Sequence, residues 1–173
     1  MKTKCIAFAI LIAFLLTGCA SMSVKVDYDS EADFSAYKTF GWMKMKERPK
    51  YSQKYPNKAL MEERIKRAVV REMEAKGYSF TDKKKPDIVI AYHIGMQDRV
   101  SVEHYGYSYW RRGPRRTEVH RYKEGTLILD FVDPKGQQLV WRGWATGVIS
   151  GPERMEEHID NAVKSIIAKY PPQ

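Results

Sequence analysis

The sequence predicts an α+β fold, an antiparallel β-sheet of about five to six strands with two α-helices packed on one face. Three observations carry that expectation. Met61, Ile65, Val69 and Met73 recur every four residues, so residues 57–76 form a helix with one apolar stripe to bury. Residues 88–94 are apolar at both parities, as in a central strand covered on two sides. Residues 125–132 and 137–149 are rich in Leu, Ile, Val and Trp, and they flank Asp133-Pro134-Lys135-Gly136, which has the chemistry of a hairpin turn.

The elements follow in the order ββ-α-βββ-α. Val24, Val26 and Tyr28 alternate with Lys25 and Asp27, the period of a half-buried strand. Residues 29–37 read as a turn or a single helical turn, with Ser30 and Asp33 at capping-box spacing and Phe34 and Tyr37 three apart. Thr39-Phe40-Gly41-Trp42-Met43 is a second strand, and residues 47–56, with Pro49 and Pro56, form a loop. Asn57 caps the first helix, Glu62 and Glu63 lie near its positive end, and Gly77 stops it. Lys83-Lys84-Lys85-Pro86 is a charged turn before the central strand. Ser150 and Glu153, again at capping-box spacing, open the last helix, with Met155, Ile159, Ala162, Val163, Ile166 and Tyr170 as its buried stripe.

The chain has 173 residues, 43% hydrophobic and 29% charged, with a net charge of +9. That composition excludes wholesale disorder and fits one small domain with a targeting segment. Residues 6–16 are the one purely apolar run, and eleven residues are too few to span a bilayer, which excludes a polytopic membrane protein. Lys2 and Lys4 precede the run with no acid, the charged and apolar regions of a secretory signal peptide. A core helix would instead show a polar face.

The run closes on Leu16-Thr17-Gly18-Cys19, which resembles the bacterial lipobox of an aliphatic residue, two small residues and cysteine. The small residues let a peptidase approach the backbone, and the thiol is suited to thioether formation with diacylglycerol. The resemblance implies cleavage between Gly18 and Cys19 and lipidation of Cys19, a membrane anchor. Residues 1–18 are then signal peptide, 19–23 a lipidated tether and 24–173 a single α+β domain. Cys5 leaves with the signal and Cys19 is consumed, so the mature chain offers no disulfide, thiol nucleophile or cysteine-ligated metal. It keeps 155 residues and a net charge of +7, enough to bury roughly two thirds of its unfolded surface. Ala20 and Ser21 lack the aspartate that retains Gram-negative lipoproteins in the inner membrane, so the resemblance implies the outer membrane, in its periplasm-facing inner leaflet. The short tether holds the domain against that leaflet.

Three stretches together resemble the bacterial lipoprotein family catalogued as domain of unknown function 4136. They are Val26-Asp27-Tyr28-Asp29 with Asp33-Phe34-Ser35 and Tyr37-Lys38-Thr39-Phe40-Gly41-Trp42; Pro86-Asp87-Ile88-Val89-Ile90-Ala91-Tyr92-His93; and Gly125-Thr126-Leu127 through Asp130, Asp133 and Leu139-Val140-Trp141-Arg142-Gly143. The resemblance covers residues 24–170. It implies an exported lipoprotein with an α+β domain and supplies no catalytic residues.

Few motifs carry chemistry. Asp27, Asp29, Glu31 and Asp33 have the opening spacing of a calcium loop, but Ala32 stands where glycine is needed and Lys38 where the distal glutamate belongs. Gly106-Tyr107-Ser108-Tyr109 starts like a nucleophile elbow and then places Trp110 at the tight turn. His93, His104, His120 and His158 fall on separate predicted elements, without the pairing a metal site favours, so no metal or cofactor is expected. Trp42, Trp141 and Trp144 are spaced as sheet packing.

The distinctive stretch is residues 104–123, where Arg111, Arg112, Arg115, Arg116, Arg121 and Lys123 face a single acid, Glu118, for a local charge of +5. Guanidinium forks bind phosphate bidentately, and the interleaved Tyr105, Tyr107, Tyr109 and Trp110 suit a bilayer interface. A signal peptide takes nucleic acid out of reach. The expected partners are therefore anionic lipid, a lipopolysaccharide precursor or an acidic envelope protein, set against a solvated hairpin tip whose charges guard a sheet edge. The expectation is a non-enzymatic, lipid-anchored envelope domain with a basic aromatic loop. The alternative is a carrier of a small apolar ligand or lipid between the sheet and its helices.

Overall fold

The computed structural model describes residues 22–43, 58–82, 85–105, 116–149 and 151–172. The expected signal peptide, Gly18, Cys19 and most of the expected tether lie outside these residues, as do Asn57, Ser150 and three of the arginines, Arg111, Arg112 and Arg115.

The strands are β1 (Ser23–Tyr28), β2 (Thr39–Trp42), β3 (Ser79–Phe80), β4 (Ile88–Tyr105), β5 (Arg116–Asp133) and β6 (Gln138–Ile149). The helices are α1 (Lys58–Ala75) and α2 (Met155–Ile167), and short 3₁₀ turns occupy Phe34–Ala36 and Pro152–Arg154. The fold is α+β, with one six-stranded sheet in the order β1-β6-β5-β4-β2-β3. The sheet is mixed rather than wholly antiparallel: β2 runs parallel to both β3 and β4. The cause is α1, which carries the chain back along the sheet after β2, so the next strand must start from the same end.

Both helices lie on one face of the sheet. Arg64 contacts Glu156 at 3.4 Å, Arg71 contacts Asp160 at 3.4 Å, and Lys76 reaches the Ala168 carbonyl at 3.5 Å, so the helices run parallel and begin at the same end. The stripe of α1 is buried as its period requires, with Met61, Ile65, Val69 and Met73 all in the core. Gly77, at φ 88°, ends the helix in the left-handed conformation that glycine adopts without strain. Helix α2 buries Ile159, Ala162, Val163, Ile166 and Ile167. It starts after the 3₁₀ turn, with Arg154 at the cap position and no side-chain hydrogen bond there. Tyr170 lies beyond the helix rather than on it, yet it is fully buried, with ring centroids 4.4 Å from Phe131 and 5.3 Å from Trp141. Near β1, Asp33 rather than Ser30 caps the 3₁₀ turn, accepting from the Ser35 backbone at 3.0 Å and the Ser35 hydroxyl at 2.6 Å; these bonds hold its carboxyl below the usual range.

Two local devices set the far edge of the sheet. Asp87 accepts from the Lys38 and Thr39 backbone N–H groups and from the Thr39 hydroxyl at 2.8–3.1 Å, tying β2 to the start of β4. These bonds, led by the Thr39 hydroxyl, hold its carboxyl below the usual range. The chain leaving β3 then crosses directly over Gly41. A Cβ there would meet the Thr81 carbonyl oxygen at 2.8 Å and the Pro86 ring at 3.1 Å. The first of these is backbone and cannot swing away. Gly41→Ala is expected to cost about 1–3 kcal/mol by overpacking, measured by chemical denaturation. A loss within about 0.5 kcal/mol would mean that the crossing loop yields freely.

Candidate functional site

Strands β4 and β5 are each 18 residues long and pair along their full length, from Val89 opposite Val132 to Tyr105 opposite Arg116. The rest of the sheet is shorter. Strand β6 ends at Ile149 opposite Lys123, and β1 begins at Ser23, in one row with Thr146 and Thr126. Beyond that row, residues 99–105 and 116–122 pair only with each other among the described residues. They form a two-stranded arm projecting about 33 Å past the start of β1, at 3.3 Å per residue.

Much of the stretch read as a loop is therefore strand. Arg116 opens β5 at the far end of the arm, and Arg121 lies exposed in it, about 17 Å back along the strand. Arg111, Arg112 and Arg115 belong to residues 106–115, which link the two strands and lie outside the described residues. His93 and His104 share β4, because that strand runs eleven residues beyond the apolar segment 88–94. What extends it is pairing with β5, which needs no apolar side chains at an edge exposed to water.

Strand parity sorts the arm into two faces. Met96 of β4 stands opposite Gly125 on the side of the helices, so the pairs Asp98–Lys123 and Val100–Arg121 continue that side. The other side carries Arg99, Tyr122 and Glu124, with Arg99 Nε 2.9 Å from Glu124 Oε2.

At the base of the arm, between the sheet and the first turns of both helices, lies an apolar cleft of about 50 Å³. Its walls include Met22, Met61, Ile65, Met96, Met155 and Ile159. The sheet makes the space by omission: Gly125 and Gly147 stand opposite each other on the helix side. The Ile149 side chain reaches over Gly125, and the Met22 side chain over Gly147. Ligand pockets hold about 300–1,000 Å³, so this cleft is too small to enclose a lipid, and the carrier reading finds little support in it.

A polar cluster occupies the sheet face away from the helices. Asp130 is 6% exposed, the one charged residue buried among those described. Arg142 holds it bidentately, Nε to Oδ1 at 2.6 Å and Nη2 to Oδ2 at 2.7 Å, and His93 Nε2 lies 3.3 Å from Oδ2. Asp27, Arg142 and Asp130 stand in one row across β1, β6 and β5, and these hydrogen bonds and charges raise the guanidinium pKa. In the sequence alone, Asp130 and Arg142 carry a family resemblance and no role of their own. Their signal was an acid and a base on either side of one predicted turn. Among the described residues no cluster of three metal-ligating side chains occurs. Asp29 is engaged instead with the Glu31 backbone at 2.9 Å and the Gln138 amide at 2.8 Å. Trp141 is core, and Trp144 stands half-buried on the outer face.

The sequence profile of the family described as Domain of unknown function (DUF4136) matches residues 24–172. The chain belongs to the DUF4136 family. The match spans both helices and all of the sheet but its first residue, Ser23. No curated protein matches the sequence. Among solved structures, the domain is similar to a PDZ domain protein from Parabacteroides distasonis ATCC 8503, with a TM-score of 0.61 at 17% identity. That alignment covers 97% of this chain and 40% of the other, so the chain spans well under half the length of that protein. PelC, solved as a dodecamer from Paraburkholderia phytofirmans, aligns with a TM-score of 0.48 at 10% identity over 86% of this chain and 95% of its own. At 17% identity the likeness to the first of these is one of fold.

Proposed function

We propose that the protein is a lipid-anchored, non-enzymatic domain of the outer membrane whose arm presents a basic cluster to anionic envelope components on the periplasmic side. The observation that carries this reading is positional: the arm leaves the sheet at the same end at which β1 begins. Cys19 precedes Ser23 by four residues, at most about 14 Å of extended chain. An anchored arm whose tip lies about 33 Å beyond the start of β1 therefore cannot stand along the membrane normal without driving its charges through the hydrocarbon, and it lies along the leaflet. That orientation brings Arg111, Arg112, Arg115, Arg116 and Arg121 within reach of phosphate, which guanidinium binds in charge-assisted pairs.

The test uses residues 22–173, without the lipid, and vesicles of anionic or purely zwitterionic lipid. Binding is expected to the anionic vesicles alone. It should fall steeply as salt shortens the screening length from about 10 Å at 0.1 M to about 3 Å at 1 M. Changing Arg111, Arg112, Arg115 and Arg116 together to Ser should abolish it without lowering the melting temperature, whereas changing Lys83, Lys84 and Lys85 should matter far less. Equal losses from the two sets would replace the arm with a diffuse basic surface. Absence of binding to either vesicle would leave the arginines as solvated guards of a strand edge.

A further inference from the structure

We propose that residues 97–105 of β4 pair antiparallel with the same residues of a second copy, about a two-fold axis at Ser101. Two arms then join in one ribbon. The proposal goes beyond the anchor and the arginines and depends on neither. Its starting point is an open edge. Strand β2 reaches along β4 only as far as Ile90, opposite Trp42. Over residues 97–105, the edge of β4 away from β5 has no strand beside it among the described residues. A ribbon of two strands is marginally stable in water, and an uncovered edge is a template for another strand. Val100, at 59%, is the most exposed large apolar side chain among the described residues, and it stands on this edge strand.

The order of charges along β4 identifies the partner strand as a copy of itself. A two-fold axis makes every contact between two different positions occur twice. Centring on Ser101 puts Arg99 opposite Glu103, Asp98 opposite His104 and Val100 opposite Val102 of the second copy. A centre at Asp98, Arg99 or Glu103 would set that residue against its own like charge, which destabilises a facing pair. A centre at Val100 or Val102 joins no opposite charges. Ser101 alone satisfies the whole stretch.

The pairing of β4 with β5 agrees. Within the arm Glu103 stands opposite Glu118, two like charges in register. The second copy supplies the missing cation, Arg99, on the other side of Glu103. Arg99 already donates to Glu124 at 2.9 Å, and its side chain is 51% exposed. A guanidinium has five N–H donors, enough for a second carboxylate. Val102 stands opposite Val119 in its own arm, so the ribbon aligns Val119, Val102 and the second copy's Val100 in one row. Facing β-branched residues stabilise such a row. Facing positions also share parity, so the helix-side faces of both arms stay on one side of the ribbon.

The axis makes the test specific, because only a residue on it meets its own copy. Ser101→Cys and Gln97→Cys are made in the full chain as cells produce it and exposed to a mild oxidant. Facing positions have Cα atoms about 4.5–5.5 Å apart, within reach of a disulfide. Ser101→Cys is therefore expected to yield a disulfide-linked dimer. The two copies of position 97 lie about 26 Å apart along the ribbon, at 3.3 Å per residue, and Gln97→Cys should stay monomeric. The parent chain, oxidised alike, fixes the background from Cys19. Arg99→Glu and Glu103→Arg should each lower the yield at position 101 several-fold, and the two together should restore it. Restoration separates contact between copies from damage within one arm, since the double change still lacks the bond from Arg99 to Glu124. No cross-link at 101 above the parent's background, or equal cross-linking at 97 and 101, overturns the pairing. A double variant as weak as the single ones does the same. None of these outcomes bears on vesicle binding by the arginines, which the earlier test reads separately.

Discussion

Trp141→Ala is expected to lower the folding free energy by about 3–5 kcal/mol, the largest single loss among these predictions. The indole is fully buried between Phe131, with ring centroids 4.8 Å apart, and Tyr170, at 5.3 Å, and its six-membered ring lies over Gly143. Glycine at 143 is what admits it, since a Cβ would collide with both the indole and Ile166. Deletion leaves a hollow walled by rings that cannot collapse into it. The indole Nε1 is buried with no hydrogen-bond partner among the described residues. Trp141→Phe therefore loses volume but sheds an unsatisfied donor, and its loss should be clearly smaller than that of Trp141→Ala. Urea unfolding of both variants checks the pair. A loss under about 1 kcal/mol for Trp141→Ala would mean that Phe131 and Tyr170 close the gap.

Arg142→Ala should cost about 2–3 kcal/mol, below the value for breaking a fully buried pair because the guanidinium keeps contact with water. Its side chain is 43% exposed against 8% for Asp130. Removing it leaves a nearly buried carboxylate with only the His93 imidazole, 3.3 Å from Oδ2, beside it. Asp130→Ala should cost less, since the stranded guanidinium turns to solvent and to Asp27 across the β1–β6 pair. The double variant should cost less than the sum of the two, with a coupling of about 0.5–3 kcal/mol. Additive losses in that thermodynamic cycle would show that the two side chains stabilise the sheet independently.

The way Asp130 meets Arg142 shows where sequence reasoning stops. The turn at residues 133–136 was legible from Asp133, whose carboxylate accepts from the Lys135 and Gly136 backbones at 2.7 and 3.4 Å. Counting outward from it, Asp133 pairs with Gln138 and Val132 with Leu139, and a regular ladder would then put Asp130 opposite Trp141. A bulge between Phe131 and Val132 shifts the register by one. It sends Trp141 into the core and sets Arg142 beside Asp130. One extra residue reverses which face each later side chain takes. Nothing in Leu139-Val140-Trp141 announces it, because all three are apolar.

The sequence by itself determined the elements whose period is local. These are the stripe of α1, the strand from Ile88, the β5–β6 hairpin, the buried face of α2 and the α+β class. Each depends on side chains a few residues apart on one element, which periodicity reports directly. The family too was legible, from short runs that lie within the residues its profile matches. Only the tertiary structure decided the parallel pairing of β2, the crossing over Gly41, the length of the arm and the burial of Tyr170 beyond its helix. These depend on what a distant segment does: a helix that returns the chain, a loop that passes over a strand, a second strand that supplies hydrogen bonds to polar residues. The arginines illustrate the division. Their number and charge are sequence facts, but a strand 18 residues long places Arg116 and Arg121 on an arm at the end where β1 begins.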